Sequence, residues 1–164
     1  MYINSTLRFF ERIYLFLLSF GGNLQSVFLF WMRLTWGREF YLSGMGKLHA
    51  IEKTTIFFTS LSIPKPLFHA YLVGGIEVVG GILLIIGFAS RLISIPLSLI
   101  MFAAFSIAHS QVFIDFHFVK EPLSLVAEAP YPFLITSLLV LLFGPGRISI
   151  DALLKRWAER QAKF

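Results

Sequence analysis

Residues 67–88, LFHAYLVGGIEVVGGILLIIGF, form a 22-residue run with a single carboxylate, Glu77, and no Lys or Arg. An α-helix needs about 20 mainly apolar residues to cross a hydrocarbon core of about 30 Å. Inside lipid the backbone must satisfy its own hydrogen bonds, so only helices and closed barrels can span it. This run therefore restricts the chain to a fold built on membrane-crossing helices. The composition agrees: 57% of the 164 residues are hydrophobic and only 14% are charged, against roughly 25% charged in soluble domains. The expected fold class is an all-α membrane protein, a four-transmembrane-helix bundle.

Three further segments complete that count. Residues 24–46 are apolar but carry Arg33, Arg38 and Glu39. Residues 92–109 tolerate Pro96 in the first turns. The last span covers residues 131–143, beginning near Ala127, and Gly144-Pro145-Gly146 stops it. Residues 6–20 interleave Arg8, Glu11 and Arg12 with Phe, Ile, Tyr and Leu, which reads as an N-terminal interfacial amphipathic helix. Those charges also argue against a signal peptide. Ser149-Ile150-Asp151 opens a short C-terminal amphipathic helix. The expected organisation is an interfacial helix at 1–22, a membrane domain at 23–154 and a basic cytoplasmic tail at 155–164. The three-residue turn Ala89-Ser90-Arg91 makes the second and third spans an antiparallel hairpin.

The net charge of +5 is topological. With four spans, Arg8, Arg12, Arg91, Arg147, Lys155, Arg156, Arg160 and Lys163 share one side. Lys47, Lys53, Lys65 and Lys120 share the other. The two-to-one excess places both termini in the cytoplasm, with a bacterial inner (plasma) membrane as the expected location. No basic stripe suited to nucleic acid is present. The absence of cysteine excludes disulfides, thiolate catalysis and Cys-ligated metals.

Ionisable residues inside a span are functional-site candidates, because a charge in hydrocarbon costs several kcal/mol. Arg33 and Glu77 lie at similar distances from the inner ends of their apolar segments, differing by about 3 Å at about 1.5 Å per residue, so an Arg33–Glu77 ion pair is expected. At about 100° per residue, Arg33 shares a stripe with Ser26, Leu29, Gly37, Phe40, Gly44 and Lys47. Glu77 shares one with Ala70, Val73, Gly74, Gly81 and Leu84. The pair serves either as structural glue or as a site that handles a ligand or proton. A second polar layer, toward the outer surface, holds Arg38, Glu39, Lys47, His69, His109 and Tyr131. It reads either as an interfacial belt or as an aromatic-lined pocket for a quinone or lipid-like molecule. His69 and His109 alone give little basis for bis-His haem, and no metal site is expected. Hydrolase and nucleotide-loop motifs are lacking.

Several segments occur in order: Arg-Leu-x-x-Gly ending at Gly37, Ser43-Gly44-Met45-Gly46-Lys47-Leu48, Glu77-x-x-Gly80-Gly81 running on to Ser90-Arg91, Ala108-His109, and Gly144-Pro145-Gly146-Arg147-x-Ser149-x-Asp151. Together they resemble the DoxX family of four-helix membrane proteins. The resemblance covers residues 24–154. It implies kinship with the small membrane subunit of a thiosulfate:quinone oxidoreductase. Gly37, Gly44, Gly81, Arg91, Gly146 and Asp151 then stand at structural or family-pattern positions. Arg33, Lys47, Glu77, His109 and Tyr131 are the ligand-site candidates. The N-terminal segment and the long aromatic loop at 110–130 depart from the pattern.

The function expected is therefore that of a membrane subunit in a quinone-linked redox system, not catalytic alone. No cofactor is evident in the sequence; quinone is the candidate. Expected partners are the lipid bilayer, a soluble or membrane redox protein and a second copy of the chain. The alternative is a non-enzymatic membrane protein that binds or moves a small or lipid-like molecule, or scaffolds a complex. For the topology, reporter fusions after Lys155 and within residues 112–125 should show opposite sidedness; equal sidedness removes the four-span arrangement.

Overall fold

The computed structural model describes residues 3–108, 110 and 126–162. Among these residues six helices follow in order: α1 (Ile3–His49), α2 (Ile51–Ser60), α3 (Pro66–Ile86), α4 (Ser90–Ala108), α5 (Pro130–Phe143) and α6 (Ile150–Gln161). The described residues are all helical apart from short connections. His109 and most of the loop at 110–130 lie outside them.

The first helix differs from expectation. No break separates an interfacial segment from the first apolar stretch, and α1 runs for 47 residues, about 70 Å at roughly 1.5 Å per residue. No proline occurs before Pro64. Gly21 and Gly22, at the boundary expected between the two segments, each cost only about 1 kcal/mol relative to Ala. The connection after α1 also holds an unexpected helix, α2, which turns back at Ala50 and buries Phe58 against the bundle.

The remaining boundaries follow local chemistry. Pro66 occupies the first turn of α3, where its missing N–H is no loss. Gly87, at φ +71°, ends that helix, and the Gly87 and Phe88 amides donate to the Leu83 carbonyl. Ser149 caps α6, its hydroxyl accepting from the Ala152 amide at 3.1 Å.

Among the described residues two helices, α3 and α4, are long and apolar enough to cross a membrane. The apolar α5 has 14 residues, and α1 is ample in length but carries Arg33, Arg38 and Glu39. Large apolar side chains cover the outside, among them Leu92 (71% exposed), Leu99 (64%) and Leu142 (68%). Helix α3 packs most extensively on α1, and α4 on α5, with the α3–α4 hairpin joining the two pairs. Phe40, Leu84, Leu97, Met101 and Val140 fill the centre. Phe133 stacks edge-on against Phe40 (4.8 Å) and Trp36 (5.2 Å). A Ser98–Ser137 hydrogen bond of 2.8 Å joins α4 to α5.

The α1–α3 contact is made backbone to backbone. A Cβ on Gly81 would stand 2.5 Å from the Gly37 carbonyl oxygen and 2.6 Å from the Tyr41 amide nitrogen. One on Gly44 would stand 2.6 Å from the Gly74 oxygen. Both glycine pairs are spaced by seven residues, so they meet at two levels of an antiparallel crossing. Gly81→Ala should lower the thermal unfolding midpoint in detergent, with a loss of about 1–3 kcal/mol. Gly75→Ala, whose Cβ would meet nothing within 4 Å, should leave the midpoint unchanged or raise it.

Candidate functional site

Each polar stripe is buried as the helical period requires: Ser26, Leu29, Arg33, Gly37, Phe40 and Gly44 on α1, and Ala70, Gly74, Glu77, Gly81 and Leu84 on α3. The expected Arg33–Glu77 pair, however, is not made. The glycine contacts set the register so that Gly44 meets the Glu77 Cβ. Arg33, eleven residues earlier, lies about 16 Å away along the helix. Aligning the apolar ends of two segments could not give this register, because α1 has no end near Leu24.

Lys47 is the true partner of Glu77. Its Nζ donates to Glu77 Oε2 at 2.6 Å and to Ser43 Oγ at 2.7 Å. Ser43 and Glu77 thus share the one ammonium. Ser43 is absent from the residues expected at the site; its i,i+4 spacing to Lys47 is the signal that could have found it. Glu77 is 1% exposed and Lys47 27%, so the carboxylate sits behind the ammonium, and the ammonium faces outward.

What Lys47 faces is a cavity of about 730 Å³, within the size range of ligand pockets. It lies between the two helix pairs, away from the α3–α4 turn. Its walls come from Leu72 and Val73 of α3, Leu99 to Ala108 of α4, Phe133 of α5, and Phe57 and Phe58 of α2. His69 also borders it, with Nδ1 2.7 Å from the Pro64 carbonyl. That contact assigns the proton to Nδ1 and leaves Nε2 as an acceptor in the neutral ring. Tyr131 is half-buried and does not line the cavity, although its neighbours Pro130 and Phe133 do. His109 lies outside the described residues. Arg38 and Glu39, expected in the outer layer, pair at 2.7 Å on the outside of α1. They stand nearer the Gly87 end of α3.

At that end Arg33, fully buried, forks between the Leu84 carbonyl (3.1 Å) and the Ile148 carbonyl. It fills the space beside Gly87, where a Cβ would lie 2.1 Å from its Nη1. Nearby in the chain's last helix, Asp151 accepts from the Ala89 and Ser90 amides at 2.8 and 2.9 Å. The α4 amides therefore receive their cap from the start of α6. Gly146 packs against Ser26, and Arg91 donates to the Leu142 carbonyl at 3.3 Å. These family-pattern residues tie the helix ends together.

The chemistry divides accordingly: a fastening at one end, and at the other a mainly apolar cavity that carries the Lys47–Glu77 pair. Removing one member of a buried pair strands the other, at roughly 3–5 kcal/mol in soluble proteins. Lys47→Met should lower thermal stability in detergent, and Lys47→Met/Glu77→Gln should recover part of the loss. Arg33→Gln and Glu77→Gln should instead add independently. Coupling between Arg33 and Glu77 with none between Lys47 and Glu77 would refute this register.

The DoxX family model matches residues 28–110. The chain is 29% identical over 120 residues to CatD of Bacillus subtilis (strain 168), a protein named as an oxidoreductase. That alignment covers 73% of this chain and 81% of CatD. No solved structure matches. With the family pattern matched over half of its length, including Arg33, Lys47 and Glu77, the chain belongs to the DoxX family.

Proposed function

We propose that this protein is the membrane subunit of a quinone-linked redox system, with α1, α3, α4 and α5 crossing a bacterial plasma membrane and both termini cytoplasmic. The observation that carries the reading is the Lys47–Ser43–Glu77 cluster on the wall of a mainly apolar cavity. A quinone bound there would supply two-electron chemistry, with electrons delivered by a redox partner. The chain's own contribution is positional. Apolar walls accept a ring and its tail, and the Lys47 ammonium offers a donor to a carbonyl oxygen. That donor gains strength as negative charge develops on the oxygen in a dry site. Glu77 keeps the resting charge balanced, so the cavity holds no stranded cation. The name of the Bacillus subtilis relative supports an oxidoreductase setting.

The same walls suit a lipid-like molecule, and one experiment separates the readings. A short-tailed quinone analogue titrated into detergent-purified protein should bind saturably. Lys47→Met should weaken binding about ten- to a hundredfold, the value of a hydrogen bond to a charged group. Saturable uptake of fatty acid with no quinone binding would instead establish the non-enzymatic alternative.

A further inference from the structure

From the outward ion pair on α1 we infer that the protein forms a parallel dimer through this helix. Arg38 and Glu39 are bonded at 2.7 Å with side chains 68% and 39% exposed. The inference takes from the proposed function only that α1 crosses the bilayer. Gly37 touches Gly81 and Ile85, so the pair lies alongside the last two turns of α3 and within its span. Charged residues at membrane depth nearly always face a bundle interior or a water-filled cavity; these two face out. Snorkelling can carry an arginine to the head groups, but it leaves the shorter Glu39 in hydrocarbon.

The helical geometry specifies the occupant. Arg38 and Glu39 project about 100° apart. The line midway between them runs through Phe28, Trp31, Thr35 and Leu42, repeating at close to 3.5 residues as in a helix–helix seam. Phe28, Trp31 and Leu42 are 53%, 64% and 43% exposed. Two copies in one membrane share their orientation, so their two-fold axis runs along the membrane normal. Residues flanking the seam on one side then meet those flanking it on the other. Arg38 faces the partner subunit's Glu39, and Glu39 faces the partner subunit's Arg38. The surface is complementary to itself, which singles out a second copy of this chain.

The chain has no cysteine, so Leu42→Cys provides a unique reporter. Oxidised in native membranes, it should give a disulfide-linked dimer, whereas Leu92→Cys on the outside of α4 (71% exposed) should stay monomeric. Adding Arg38→Glu or Glu39→Arg places like charges across the seam and should reduce the cross-link several-fold. The charge-exchanged variant carrying both changes should restore it. The two single-reversal variants, expressed together with different tags, should cross-link to each other more than to themselves, which also shows that both are folded. Cross-linking at Leu42 no greater than at Leu92, or insensitive to single reversal, overturns the dimer. Ready labelling of Leu42→Cys by an aqueous maleimide in sealed membranes would instead remove α1 from the bilayer, and with it the spanning arrangement.

Discussion

The contact of α1 with α3 is set by backbone atoms, and the positions of the buried charges follow from it. Gly37 against Gly81 and Gly44 against Gly74 bring two helices so close that a methyl group at these points would strike main chain. Lipid tails are as apolar as the helix surfaces, so burial of apolar area does little to hold membrane helices together. Close packing has to supply that cohesion. A slide of one turn would drive side chains into backbone and separate Lys47 from Glu77. The glycine register and the ion pair therefore support one another.

The two ends of the bundle are built for different purposes. At the Gly87 end, Arg33 joins α1 to the end of α3 and to the segment before α6, while Asp151 caps α4 from the first turn of α6. Carbonyls and amides left open where helices stop must find partners out of reach of water, and these two side chains provide them. At the other end the helix pairs part, and the space between them is walled mainly by apolar groups around the Lys47 cluster. A rigid base and an open cavity belong together, since a ligand site needs walls that do not collapse when it is empty.

Much of this is legible in the amino-acid sequence. The 67–88 run announces a membrane helix, and the 3.6-residue period picks out the buried faces of α1 and α3 residue by residue. Arg33, Lys47 and Glu77 stand out as charges among small apolar neighbours. Their pairing does not. Hydropathy puts Lys47 in an outer layer, and it measures the depth of Arg33 from a helix start that α1 does not have. Likewise α2, with Phe57 and Phe58 on the cavity wall, reads as loop because its ten residues, IEKTTIFFTS, give too short a periodic signal.

Sequence by itself determined the solvent, most of the secondary structure and the rotation of α1 and α3 about their axes. These are local properties, set by hydrophobicity and by a period that every turn repeats. Axial register is not local. It depends on which glycine meets which across an interface, and two stripes with correct faces can slide past one another without changing either pattern. Only the tertiary structure decided that Glu77 stands opposite Lys47 and Arg33 opposite Gly87. Steric exclusion at the glycine crossings and the demand of a buried carboxylate for a cation left one register that satisfies both.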